Sequence, residues 1–261
     1  MPLTFIGMGV WAAKDISVRG LEELRAAELV FAENYTAKLD PQGIAELTLL
    51  SGKEIVMLSR EEVEDGRLIL EQAAEKNVAF LVPGDPMIST THIALQLEAQ
   101  RRGIATRIIH ASSILTAVIG ETGLHTYKFG PPVTLPFWSA NYRPLSPYEK
   151  IADNKRRGLH TLVFLDVGER PMGAREALEL LMQMEKEKGN GIARPQDKLV
   201  VAGRIGSPTQ LIGYGKIKRL LEVPWGEPPF VIIVPGELHF TEEEALMRYW
   251  IRPFGGIEKR G

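Results

Sequence analysis

Five short turns hold the residues of this chain best placed to meet a ligand. Gly7-Met8-Gly9, Pro83-Gly84-Asp85-Pro86, Ser112-Ser113, the stretch 203–207 and Pro235-Gly236 each come at the end of an apolar run. Small residues at strand ends let backbone N–H and C=O groups approach a bound molecule closely. Asp85 adds one negative charge, which suits a cationic or amine-bearing ligand. A phosphate would prefer a helix N-terminus without an acid beside it. The stretch 82–92 also fits an ordinary tight strand-to-helix turn, freed by one glycine and stiffened by two prolines. Residue types alone stop at a small-molecule cleft.

Missing groups narrow the chemistry further. No G-x-x-x-x-G-K-[ST] run is present, so a P-loop hydrolase is unsupported. Ala12 and Ala13 stand near the place where a dinucleotide fingerprint needs its third glycine, leaving a lone G-x-G. There is no G-x-S-x-G elbow and no H-E-x-x-H pair. His92, His110, His125, His160 and His239 are scattered along the chain and read as structural or exposed. Cysteine is absent, which excludes disulfides, thiolate ligands and thiol nucleophiles. Metal chemistry is not expected. With 44% hydrophobic and 25% charged residues and a net charge of −2, the 261-residue chain can bury a core and makes no global electrostatic case for nucleic acid. The basic groups Arg101-Arg102 and Lys155-Arg156-Arg157 read as solvated surface. The first residues enter a strand without a basic, signal-like start. No apolar run approaches the ~20 residues that cross a bilayer. A cytoplasmic protein that meets neither membrane nor nucleic acid is the expectation.

The elements that must position the turns follow from hydrophobic periodicity. Strands are predicted over 3–6, 29–32, 54–58, 78–82 and 106–110. Between them fall helices over 17–27, with Ile16, Leu21 and Leu24 inward, and over 41–50. Another runs from about 60 to 76, opened by the capping-box spacing Ser59-Arg60-Glu61-Glu62. A fourth begins at Thr90 or Thr91, turns Ile93, Ala94 and Leu97 to one face, and stops at Gly103. Strands alternating with helices predict an α/β fold, with a mostly parallel sheet covered on both faces. After His110 the texture changes. The small, hydroxyl-rich stretch 111–117 is a crossing between two lobes, taken as 1–112 and 113–261. Between 130 and 148, Pro131, Pro132, Pro136, Pro144 and Pro147 crowd with Phe137, Trp138, Tyr142 and Tyr148. A loop this long without regular structure reads as a packed flap, or as a loop serving only the core or a dimer contact. Further strands are predicted over 159–166, 198–202, 209–214 and 230–234. A helix over 173–188 buries Ala174, Ala177, Leu178, Leu181 and Met182. A last one, over 241–249, is opened by Thr241-Glu242-Glu243-Glu244.

Several motifs lie on these turns. They are Phe5-Ile6-Gly7-Met8-Gly9 with Asp15-Ile16-Ser17-Val18-Arg19-Gly20, then Ala32-Glu33-Asn34-Tyr35-Thr36 and Leu58-Ser59-Arg60-Glu61. Pro83-Gly84-Asp85-Pro86, Thr90-Thr91-His92 and Ile109-His110-Ala111-Ser112-Ser113-Ile114 come next. Thr122-Gly123-Leu124-His125 with Tyr127-Lys128-Phe129-Gly130, and Gly158-Leu159-His160-Thr161-Leu162 with Phe164-Leu165-Asp166, complete the set. In these the chain resembles the tetrapyrrole methylase superfamily, the two-lobed S-adenosylmethionine methyltransferases, over nearly its whole length. The glycine and Gly-Asp-Pro turns are shared across the superfamily. The later motifs resemble its diphthine branch, as does Val10, which stands where the tetrapyrrole enzymes usually carry proline.

The resemblance implies two α/β lobes with the cofactor cleft between them. It implies methyl transfer from S-adenosylmethionine, leaving S-adenosylhomocysteine, to the amino group of a modified histidine on translation elongation factor 2. That step makes diphthine in diphthamide synthesis, and the branch acts as a homodimer. Carried over by motif position, the cofactor-binding residues are Val10, Asp85, Ile88, Ser113, Ile114, Leu165, Ile205 and Phe230. The run Gly203-Arg204-Ile205-Gly206-Ser207 departs from the family's A-R-A-G-S form. No catalytic residue is implied, and water is as good a candidate base as any side chain. Tyr35, Trp138 and Tyr142 are candidate aromatic faces for a quaternary product, or packing residues. Methyl transfer to a tetrapyrrole precursor or to ribosomal RNA, and cofactor binding without catalysis, are the alternatives.

Overall fold

Val78-Ala79-Phe80-Leu81-Val82 has no polar face to give to water, and it lies buried at every position inside a parallel sheet. The computed structural model describes residues 2–35, 37, 39–168 and 170–251, so Thr36 of the motif at 32–36 lies outside the described residues. The chain divides into two compact units, Met1–Ala117 and Val118–Gly261.

In the first unit the strands are β1 (Pro2–Gly7), β2 (Leu29–Ala32), β3 (Ile55–Met57), β4 (Val78–Val82) and β5 (Ala105–Ile109). They run in the order β3-β2-β4-β1-β5, with every pair parallel. The helices are α1 (Val18–Ala26), α2 (Gly43–Ser51), α3 (Arg60–Asp65), α4 (Arg67–Glu75) and α5 (His92–Arg101). Strand alternation sorts the core into two layers. Phe5 and Phe80 pack with Ile69, Leu70 and Leu95 on one face; Ile6 and Leu81 pack with Leu24 and Leu47 on the other. Both faces of this sheet are therefore covered, as the alternating pattern predicts.

Two helices differ from expectation. The run 60–76 is broken at Gly66, whose φ of +67° ends α3 and starts α4. A side chain there would meet Leu95 Cδ1 at 2.8 Å. The capping box itself forms, with Glu62 N donating to Ser59 Oγ and Ser59 N donating to Glu62 Oε2. In α5 the buried face is His92, Leu95 and Ala99, while Ile93 and Leu97 are exposed. The His92 ring sets this phase. It bonds Pro86 O through Nδ1 at 3.1 Å and meets Phe80 edge-on, so the inward face begins on a polar residue that an apolar pattern leaves out. Thr91 holds the N-cap position without a side-chain bond, and Thr90 Oγ1 accepts from His92 N.

The second unit carries β6 (Val133–Leu135), β7 (Thr161–Leu165), β8 (Lys198–Gly203), β9 (Leu211–Lys216) and β10 (Phe230–Val234). Their order is β6-β7-β10-β8-β9; β6 and β7 are parallel and the other pairs antiparallel. Its helices are α7 (Ser146–Arg156), α8 (Ala174–Lys188), α9 (Ile217–Leu220) and α10 (Phe240–Met247); α6 (Ile114–Thr122) contains the division between units. The proline-crowded stretch is not an irregular flap. Val133–Leu135 joins the sheet as β6, and α7 starts at Ser146 with Pro147 in its first turn, where a missing N–H costs nothing. Three residues flanked by prolines, whose partner strand lies far along the chain, leave little periodicity to read. In α8 the inward methionine is Met184; Met182 is only half-buried. Among the described residues no helix is long and apolar enough to cross a membrane.

Candidate cofactor site

Strands β4, β1 and β5 are neighbours, and their registers, Gly7↔Val82 and Ile6↔Ile109, bring their carboxyl ends level. The turns that follow mesh. Met8 N donates to Val82 O at 2.8 Å, and Gly9 and Gly84 exchange backbone bonds of 3.3 and 2.8 Å. A Cβ at residue 7 would sit 2.6 Å from Gly84 O, 2.7 Å from Ala111 Cβ and 3.0 Å from Pro86 Cδ. Only glycine lets three turns close on one another here. Gly9 takes φ +84°, and a Cβ there would strike Asp15. That carboxylate is fixed by the Trp11 and Ala12 amides at 2.8 and 2.9 Å. Val10 is carried half-buried on the loop so formed.

Asp85 is the pin of this assembly. Its carboxylate is 7% exposed. Oδ1 accepts from Met87 N at 3.0 Å; Oδ2 accepts from His110 Nδ1 at 2.8 Å and from Ala111 N at 3.2 Å. A carboxylate has no proton to give, so the hydrogen of that contact belongs to Nδ1. Ile88 is exposed on the same turn, beside Ser89, whose φ of +56° is left-handed for a residue with a Cβ. Ser113 is buried and accepts from Leu115 N through Oγ at 3.2 Å. It opens α6, where its Oγ takes Leu115 N and its carbonyl takes Thr116 N and Ala117 N, so that the Ile114 amide is the one that suits a carboxylate or carbonyl of a ligand. Gly84 is an immediate neighbour of Ser113, a Cβ at 84 standing 3.9 Å from its Cα. Val10, Asp85, Ile88, Ser113 and Ile114 thus share one cluster of turns in the first unit.

Leu165, Ile205 and Phe230 are buried in the second unit. Registers Val231↔Phe164 and Phe230↔Gly203 set them at one end of its sheet. A side chain at 203 would strike the Phe230 ring. Arg204, at φ +50°, donates its amide to Pro229 O at 2.9 Å and lays its guanidinium 5.5 Å from the centre of that ring. Of the departures from A-R-A-G-S, Gly203 leaves room for the Phe230 ring, while the shared arginine, Arg204, closes the loop over it. Of the aromatic candidates, Tyr35 has a buried hydroxyl with no partner among the described residues, and burial, then Glu33, pushes its pKa up to about 12. Trp138 already has the Arg143 guanidinium 4.3 Å from its ring centre; Tyr142 is exposed.

The histidines scattered in sequence are not scattered in space. His125, His160 and His239 converge on Glu242, which is fully buried. Oε1 accepts from His125 N at 2.8 Å and His160 Nε2 at 2.9 Å; Oε2 accepts from His239 N and Lys128 Nζ, both at 2.8 Å. α10 accordingly opens on His239, with Glu242 closing its capping box, and not on Thr241. His160 also pairs with Lys128 and Gly130 through backbone bonds, so the two histidine-bearing motifs lie side by side. His160 precedes β7 and Leu165 ends it, which separates this cluster from Leu165 by the strand's length. Linear metal-type spacing could not find it. The signal was an acid three residues into the last helix, together with two motifs lacking an assigned role.

Residues 2–221 match the model of the Tetrapyrrole (Corrin/Porphyrin) Methylases. The chain is 42% identical over 250 residues to the diphthine synthase of Methanocaldococcus jannaschii, covering 94% of this chain and 97% of that one. It is 39% identical over 260 residues to the diphthine synthase of Methanothermobacter thermautotrophicus, covering 98% of each. A crystal structure of diphthine synthase superposes with a TM-score of 0.88 at 39% identity, covering 96% of each chain. With both α/β units matched and the glycine cradle in place, the chain belongs to the diphthine synthases, the S-adenosylmethionine-dependent methyltransferases of diphthamide biosynthesis within the tetrapyrrole methylase family.

Proposed function

We propose that the chain methylates the amino group of a modified histidine on translation elongation factor 2. Val10, Asp85, Ile88, Ser113 and Ile114 of the first unit would hold the methyl donor. The observation that carries this reading is the meshing of three turns on Asp85 at the carboxyl ends of neighbouring parallel strands, where open α/β sheets take their ligands. Gly7 and Gly9 leave no room for side chains, which lets these turns close on one another. The fit is chemical as well as steric. Asp85 supplies negative charge for a sulfonium or ammonium, and the first amide of α6, at Ile114, suits a carboxylate.

S-adenosylmethionine, when bound, supplies a methyl group already activated by its sulfonium charge. The chain's own part is to align an amine with that methyl and exclude water, a positioning effect worth several kcal/mol. A homodimer is part of the proposal, supported by the exposed apolar residues Ile93 and Leu97 on α5. A cytoplasmic location accords with an acceptor that belongs to translation. The test is mass measurement of elongation factor 2 bearing the aminocarboxypropyl-histidine precursor after incubation with this protein and cofactor. Methyl-sized gains are expected. Transfer to a porphyrinogen or to ribosomal RNA, with none to the factor, would overturn the assignment.

A further inference from the structure

Asp85 holds His110 in a single tautomer, and the reading above gives that imidazole no task. Nδ1–H donates to Oδ2 of a buried carboxylate whose two oxygens are each fixed by one backbone amide, Oδ1 by Met87 N and Oδ2 by Ala111 N. Nε2 therefore keeps its lone pair, on a side chain 69% exposed. The ring stands just beyond β5, beside the turn carrying Asp85 and Ile88. A fixed carboxylate on one imidazole nitrogen, with the other open to a reactant, is the arrangement of a general base. The carboxylate selects the tautomer and stabilises the imidazolium once a proton is taken. The other histidines are spent. His92 and His160 are buried; His125 and His239 are bonded to Thr241.

We propose that His110 accepts the proton of the amine that is methylated, an inference that rests on the methyltransferase reading above. An aliphatic amine is an ammonium at neutral pH, and its nitrogen then has no pair to offer. His110 Nε2 takes one proton from that ammonium. The freed pair forms the N–C bond to the methyl, and the electrons of the broken S–C bond stay on sulfur. The imidazolium then returns its proton to water along its exposed edge. Each further methyl on the same nitrogen releases one more proton by the same route. Among the described residues Asp85 is the charged group in contact with the ring, and the residues that follow, Ala111, Ser112 and Ser113, carry no charge.

The first measurement needs neither cofactor nor acceptor. Nitrogen-15 NMR of histidine-labelled protein should show neutral His110 with Nδ1 protonated and Nε2 bare, and Asp85→Asn should abolish that preference. A neutral His110 carrying its proton on Nε2 would overturn the proposal. The second uses His110→Gln and His110→Ala, which alter an exposed side chain. Cofactor Kd by calorimetry should stay within about twofold, while kcat onto the precursor-bearing factor falls about 100-fold at neutral pH. The deficit should shrink as rising pH deprotonates the amine unaided. Variants that keep kcat within about threefold from about pH 6 to pH 9, or that lose only cofactor affinity, would overturn it. If wild type transfers no methyl to the factor, the acceptor reading falls and takes this role with it. If wild type and variants transfer equally, His110 falls alone.

Discussion

Glutamine in place of Glu242 should cost the second unit about 3 kcal/mol at neutral pH. Burial by itself would raise the pKa of this carboxyl. The Lys128 ammonium, the amides of His125 and His239 and the ring N–H of His160 outweigh burial and hold it down to about 2, against an ordinary 4.5. That gap is worth about 3 kcal/mol of preference for the carboxylate in the fold. The sign follows from the direction. A folded pKa below the unfolded one stabilises fully above about pH 4.5, and the benefit is lost as pH falls toward 2. The same four donors show why the amide cannot substitute. Four donors meet the carboxylate, two on each oxygen. An amide has only one oxygen, so its NH2 must face two donors, and each unsatisfied group costs roughly 1–3 kcal/mol. His160 cannot turn to help, because its Nδ1 already accepts from Gly236 N at 2.9 Å. Calorimetric melting of wild type and Glu242→Gln should differ by roughly 10 °C at pH 7, with the stability gap narrowing to about 2 kcal/mol near pH 3.5. A difference under about 2 °C at pH 7, or a gap that widens on acidification, would refute the reasoning.

Three other perturbations test the site and its frame. Gly9→Ala forces an L-residue to φ +84° against Asp15; it should cost about 1–2 kcal/mol of stability and weaken cofactor binding at least about tenfold by calorimetry. Gly66→Ala, at φ +67° and facing Leu95, should lower the urea midpoint by an equivalent of about 1–2 kcal/mol; an unchanged midpoint would mean that α3 and α4 can fuse. Leu97→Glu on the exposed face of α5 should leave the melting temperature unchanged and, as a test of the proposed homodimer, shift sedimentation to that of a monomer. A dimer that persists would place the contact elsewhere.

Legibility in the sequence followed how local each determinant is. β4 could be read because five apolar residues bounded by turn residues leave few alternatives, and the Ser59 capping box because both partners sit three residues apart. The phase of α5 could not, since it is set by a ring bonding backwards to Pro86. β6 could not, since its strand partner among the described residues begins some way downstream at Thr161. The Glu242 cluster draws two of its four donors from over a hundred residues away and a third from 82.

The site itself shows a different limit. Its residues are chiefly main chain and small side chains, whose types are unremarkable, so the resemblance had to carry most of them. Asp85 is the exception, and residue type alone gives its charge but not its partners. Met87, His110 and Ala111 take three of its roughly four lone-pair sites. A bound cation would therefore feel its charge mainly as a field across a few ångströms of low-dielectric turn, where an unscreened carboxylate still acts strongly. That arrangement separates two duties that a direct contact would merge. The charge attracts the donor, while the bonded oxygen orients an imidazole toward whatever approaches it. Asp85→Asn keeps much of the turn's shape yet removes both the field and the tautomer preference, whereas His110→Gln removes only the imidazole. If both variants lost cofactor affinity equally and neither altered the pH dependence of transfer, the two duties would be one, and His110 would be no more than a brace for the turn.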